Sequence, residues 1–164
     1  MRFGILTISD RSARGERLDT SGPALDAVIV AQGWTVANTA IVPDDVGEIA
    51  RILTVWADSG ELDVILTTGG TGFSPRDVTP EATLSVIDRQ APGISEAMRA
   101  ASLQVTPHAM LSRAMAGMRA GTLIVNLPGS PKGAVENLQV VLPVLPHAIQ
   151  LLRGDPGAEK GHSV

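Results

Sequence analysis

Val64-Ile65-Leu66-Thr67-Thr68-Gly69-Gly70-Thr71-Gly72-Phe73-Ser74-Pro75-Arg76-Asp77-Val78-Thr79-Pro80-Glu81 passes from an apolar run through a glycine loop to a helix start. Val64 to Leu66 reads as a buried strand, and residues 81–89 as a helix. Three glycines in four residues bring the backbone close to something and leave amide N–H groups free to face it. Arg76 and Asp77 stand side by side ahead of Thr79-Pro80, where Thr79 also reads as a helix cap. Free amides, a cation, a carboxylate and a helix N-terminus together suit a phosphate ester with its metal ion. A tight strand-to-helix turn would explain Gly69, Gly70, Thr71 and Gly72 alone; the residues that follow tip the reading toward a ligand site. The loop lacks the Gly-Lys-Ser/Thr of a phosphate-binding P-loop and the Gly-x-Gly-x-x-Gly of a dinucleotide fingerprint.

Outward from this loop, strands and helices alternate. Residues 3–8 form an apolar run that ends in Ser9-Asp10-Arg11. Ser21-Gly22-Pro23 opens a helix, with Ser21 as cap, Pro23 in the first turn and Gly33 at the end. Residues 34–42 read as a second strand. Pro43-Asp44-Asp45 then precedes apolar positions 46, 49, 53, 56 and 57, a helical spacing with an aspartate as cap. Helices are expected over 81–89 and 93–103, a strand over 122–127, and a last helical region over 134–152 interrupted at Pro143 and Pro146. Residues 105–119 fit no single pattern. The alternation predicts an α/β fold, a three-layer sandwich around a mostly parallel, doubly wound sheet. Ligands bind such sheets beyond the carboxyl ends of the strands. Ser9-Asp10, Asp44-Asp45, the glycine loop and residues 126–132 should all lie there and form one cleft.

Composition narrows the classes of function. The chain has 164 residues, 44% apolar and 18% charged, which suits one globular domain over residues 1–153 with a disordered tail over 154–164. There is no cysteine, so disulfides and thiolate chemistry are excluded. Net charge is −4 and the only aromatics are two Phe and two Trp, a poor match to nucleic acid. No apolar run is read as reaching the roughly 20 residues of a membrane span, and no signal peptide is evident, so a cytoplasmic protein is expected. His108, His147 and His162 lack metal-ligand spacing.

Two further groups carry chemistry. Asn126-Leu127-Pro128-Gly129-Ser130-Pro131-Lys132-Gly133 repeats the strand, tight loop, helix-start arrangement, and its amides with Lys132 could hold an anion. A well-formed loop with a solvated lysine is the alternative. Asp44 and Asp77 could be ordinary capping or ion-paired residues; at shared strand ends they would instead supply one Mg²⁺. Ser112-Arg113 reads as a surface pair.

The segments at residues 68–72, 76–81 and 126–133, with Ser9-Asp10-Arg11, Ser21-Gly22-Pro23, Pro43-Asp44-Asp45 and Leu111-Ser112-Arg113, closely resemble the MogA/MoaB family of molybdenum cofactor biosynthesis proteins. The resemblance covers residues 3–153. It implies a homotrimer that transfers AMP from MgATP to the terminal phosphate of molybdopterin, releases pyrophosphate, and passes the product to a molybdenum insertase. Through it Asp44 and Asp77 match required carboxylates, and Gly69, Gly70, Thr71 and Gly72 match the phosphate loop. Ser112, Asn126, Pro128, Gly129 and Ser130 match positions lining the pterin and nucleotide site. Ser9, Asp10, Arg76, Thr79 and Lys132 complete the expected binding set. A molybdopterin-binding homologue without adenylylation, or a related nucleotide-processing enzyme, is the alternative. Retained Asp44 and Asp77 argue against the first and the chain's length against the second.

Overall fold

In the computed structural model, which describes residues 1–156, all six strands join one sheet in the order β2-β1-β3-β6-β5-β4. The strands are β1 (Arg2–Ile8), β2 (Thr35–Val42), β3 (Val64–Thr68), β4 (Arg89–Gln90), β5 (Ala116–Arg119) and β6 (Thr122–Leu127). Between them lie α1 (Asp10–Ala13), α2 (Ser21–Ala31), α3 (Val46–Asp58), α4 (Thr79–Val86) and α5 (Pro92–Leu103). After β6 come α6 (Pro131–Val141) and α7 (Leu145–Leu152). The four strands β2, β1, β3 and β6 run parallel, and β5 and β4 continue the sheet antiparallel.

The central strands are mainly apolar because both faces are covered. Residues of β3 and β6 are buried along their whole length. On one face Phe3, Ile5, Leu66 and Val125 pack against Leu25 and Ile29 of α2, Met98 of α5, Leu138 of α6 and Ile149 of α7. On the other, Leu6, Ile65 and Ile124 meet Ile49 and Leu53 of α3 and Ala82 of α4. Each large aliphatic side chain so buried contributes on the order of 2 kcal/mol relative to exposure. With few aromatics, the core is mainly aliphatic, joined by Phe3 stacked on Trp34 at 5.4 Å between ring centres and by Trp56 on the other face.

Several local expectations are corrected. Ser21 is the first residue of α2, not its cap: Asp19 accepts hydrogen bonds from the Ser21 and Gly22 amides, which frees the Ser21 hydroxyl for the Gly129 carbonyl. Helix α4 stops at Val86, and Arg89-Gln90 pair with Met118 and Gly117 as an edge strand. Residues 105–119 resolve into a 3₁₀ turn at Pro107–Leu111 and β5. Pro143 sits in a 3₁₀ turn that breaks the last helix, whereas Pro146 belongs to the first turn of α7 and interrupts nothing. The helical run Pro131–Leu152, at 22 residues, is long and apolar enough to cross a membrane, longer than the sequence reading allowed. Its Leu138, Val141, Leu145 and Ile149 pack on the sheet instead. Of the tail expected from residue 154, residues 157–164, with His162, lie outside the described residues.

Asn126 ties the layers together. Its amide nitrogen donates to the Thr67 hydroxyl at 3.0 Å and the Thr83 hydroxyl at 2.9 Å, and its Oδ1 accepts from the Met115 amide at 3.4 Å. It is fully buried. Asn126→Ala should leave these groups without a partner and cost about 1–3 kcal/mol, read as a lower urea midpoint with unchanged slope.

Candidate active site

The main chain at the carboxyl ends of β1, β3 and β6 converges. Gly69 has φ +107, and a Cβ there would collide with the Ile8 carbonyl; a Cβ on Gly129 would lie 3.2 Å from the Gly69 Cα. Only glycine fits at residue 69, on both backbone angle and space. The loop is then pinned from beneath. Thr79 donates its hydroxyl to the Gly69 carbonyl at 2.8 Å and its amide to the Gly70 carbonyl at 3.0 Å. The Thr68 hydroxyl donates to the Pro128 carbonyl at 2.7 Å. Thr79 is thus not the side-chain cap of α4; its buried hydroxyl fixes the glycine loop.

Four carboxylates meet this backbone in different ways. Asp45 caps α3 through the Glu48 amide, as its position after Pro43 suggests. Asp44 and Asp10 clasp each other: the Asp10 amide donates to Asp44 Oδ2 at 2.8 Å, and the Asp44 amide to Asp10 Oδ1 at 3.1 Å. Arg76 reaches across to Asp10 in a two-pronged pair, Nε to Oδ2 and Nη2 to Oδ1, both at 2.9 Å. It therefore does not pair with its neighbour Asp77. Asp77 Oδ2 accepts the Ser74 amide at 2.9 Å. No hydrogen bond described uses Oδ1 of Asp44 or of Asp77.

The Arg76 hydrogen bonds hold the Asp10 carboxyl below the usual range. Asp44 is pushed up, chiefly by burial and then by the charges of Asp10 and Asp77. Two carboxylate oxygens without protein partners, in a cleft already crowded with negative charge, are the donor set a divalent cation takes when phosphate and water complete its shell. Among the described residues no group of three or more His, Asp or Glu is placed to hold a metal without such help.

Two cavities open on this framework. The first, about 370 Å³, is lined by Ser9, Asp44, Gly69, Gly70, Asp77, Gly129 and Ser130 of the expected set. The second, about 300 Å³, is lined by Thr71, Gly72, Ser112, Pro128 and Ser130. The glycine loop is the partition between them, its first half on one side and its second on the other. Ser130, which caps α6 through the Gly133 amide, borders both.

Other expected residues stand elsewhere. Asp10 and Arg76 sit at the rim. Asn126 and Thr79 are buried below the floor and reach neither cavity. Lys132 points into solvent, with Glu136 at 3.8 Å, and lines neither cavity. The sequence reading missed Asp19 and Arg17 in the first cavity, and Arg99 and Asn137 in the second. It also missed Arg113, which is no loose surface residue. Nothing local singles these out, since each depends on contacts distant in sequence.

Residues 4–147 match the model of the probable molybdopterin binding domain. The chain belongs to this family. Among its relatives, gephyrin of Dictyostelium discoideum is 47% identical over 163 residues, covering 93% of the chain but only 23% of gephyrin, so the chain spans about a quarter of that protein. A molybdopterin adenylyltransferase of Helicobacter pylori is 40% identical over 94% of the chain and 89% of its own length. The crystal structure of the molybdopterin biosynthesis enzyme MoaB from Thermus thermophilus superposes with a TM-score of 0.88 at 54% identity, covering 94% of the chain and 98% of MoaB. The family match, residues 4–147, takes in the segments that build both cavities.

The environment of Asp44 has a measurable sign. A carboxyl held above its ordinary 3.8 keeps its proton longer in the folded chain, so stability falls as pH rises from that value through the raised one. Asp44→Asn keeps an acceptor for the Asp10 amide and removes the charge. Its urea midpoint should exceed that of the parent at neutral pH, and the two should converge below about pH 3.8.

Proposed function

We propose that the chain is a molybdopterin adenylyltransferase, which transfers AMP from MgATP to the terminal phosphate of molybdopterin and releases pyrophosphate. The observation that carries this reading is the glycine loop as a shared wall. It would give the two substrates separate cavities that meet at Ser130. The first cavity, polar and bearing Asp44 and Asp77, suits the triphosphate; the second, mostly apolar, suits a flat ring system.

The reaction joins two anions. An oxygen of the pterin phosphate attacks the α-phosphorus of the nucleotide, a P–O bond forms there, and the bond to the pyrophosphate oxygen breaks. A phosphate monoester with a second pKa of about 6 is already largely ionised near neutral pH, so no general base is required. Asp44 and Asp77 would hold Mg²⁺, which supplies positive charge to the phosphates and to the leaving pyrophosphate. The amides of the glycine loop and of the first turn of α6 would receive phosphate oxygens and hold the two groups in line. Ser9 and Gly129 border the nucleotide side, and Ser112 and Pro128 the pterin side. A homotrimer, a cytoplasmic location and a molybdenum insertase that takes the product belong to the same proposal, supported by family resemblance.

Pyrophosphate should appear when the purified chain receives molybdopterin and MgATP together, and not when either is omitted. Molybdopterin binding with no pyrophosphate release would instead make this a binding protein. Asp77→Asn should lose turnover by on the order of a hundredfold while keeping molybdopterin affinity; full turnover in that variant would remove Asp77 from the metal site.

A further inference from the structure

We infer that Arg113, a residue outside both cavities, is a positioning residue that sets Asp77 for adenylyl transfer. The proposal rests on the adenylyltransferase reading and adds a residue to it. Arg113 approaches the glycine loop with its backbone and its side chain at once. Its amide donates to the Thr71 carbonyl at 2.9 Å. Its Nε donates to the Gly72 carbonyl at 2.7 Å and its Nη2 to the Asp77 carbonyl at 2.6 Å. Nη1 pairs with the Glu81 carboxylate in the first turn of α4, and that contact holds Glu81 below the usual carboxylate range.

Gly72 and Asp77 are the two ends of a small closed turn. The Asp77 carboxylate takes the Ser74 amide, the Asp77 amide returns a bond to the Ser74 carbonyl at 2.9 Å, and a Cβ on Gly72 would lie 2.9 Å from Asp77 Oδ2. One planar guanidinium therefore bridges the carbonyls at the two ends of the turn within which the Ser74 amide holds the Asp77 carboxylate. All peptide bonds described are trans, so fixing the Gly72 and Asp77 carbonyls also fixes the opposed amides of Phe73 and Val78. The strap that carries Arg113 is itself held, because Arg99 from the wall of the second cavity donates to the Ala114 carbonyl at 2.7 Å. Lysine cannot replace this arrangement, since it lacks the fixed fork that reaches two carbonyls and a carboxylate together.

The test uses the full chain with Arg113→Ala, Arg113→Lys, Asp77→Asn and the Asp77→Asn/Arg113→Ala double variant. Arg113→Ala should lower kcat about 10- to 100-fold while leaving the dissociation constant for molybdopterin within about twofold. Arg113→Lys should recover only part of the loss. The double variant should be no slower than Asp77→Asn, because Arg113 acts through that carboxylate. Without any substrate, amide exchange in Arg113→Ala should quicken over residues 71–78 while β3 and β6 stay protected. Losses that multiply in the double variant, exchange that rises across the whole sheet, or an Arg113→Ala protein as active as the parent would each overturn the proposal. Should Arg113→Ala fail to fold, Arg113→Lys carries the same readings: slowed turnover with loop-confined exchange supports the role, and parent-like values overturn it. A parent chain that releases no pyrophosphate would defeat the adenylyltransferase reading separately, and the exchange data would still judge the loop.

Discussion

At the carboxyl ends of β1, β3 and β6, the main chain of Gly69 lies so close to the Ile8 carbonyl and to Gly129 that no side chain fits between them. Everything on the active face follows from this backbone contact. It brings three loops, from three separate strands, within reach of one phosphate-sized space. It also turns the glycine segment upright, so that the segment divides the cleft and does not merely line it. Buried hydroxyls of Thr68, Thr79 and Ser21 then take the carbonyls that the crossing would leave without partners.

The electrostatics at Asp44 oppose the fold. Asp10, Asp44 and Asp77 converge, while Arg76 offsets only Asp10 directly. An Asp44 pushed up by burial and by its acidic neighbours is a standing destabilisation at neutral pH. A chain selected for stability alone would not keep it; the proposed cation and polyphosphate site would. The fold absorbs the penalty because most of its aliphatic layers lie away from the cleft.

Local signals in the sequence reached far. The apolar runs marked the four parallel strands, Asp45 announced α3, and Ser130-Pro131 announced α6, because strand burial and helix capping are written in neighbouring residues. What escaped was decided across distance. Asp10 and Arg76 are 66 positions apart, and Arg113 stands 41 positions from Gly72. Arg113 reads as a surface charge, and the pairing of Asp10 with Arg76 goes unread, until the sheet order is known. The short strands β4 and β5 escaped for a different reason: β4 is a two-residue edge strand with Arg89 and Gln90 exposed, and β5, at four residues, is too short to show a pattern. Asn126 was placed in the cleft because its loop leads there, whereas its own side chain turns inward to join β3, α4 and the approach to β5.

Asp63, at the start of β3, gathers both ends of the folded region. It accepts the Arg2 amide through Oδ2 at 2.7 Å and pairs with Arg153 through Oδ1. Residues 2 and 153 thus meet at the pole of the sheet opposite the glycine loop. The described chain thus starts and ends its sheet-bound part on the side away from the residues that line both cavities. Ends held together away from the cleft suit a segment that matches about a quarter of so long a protein as gephyrin.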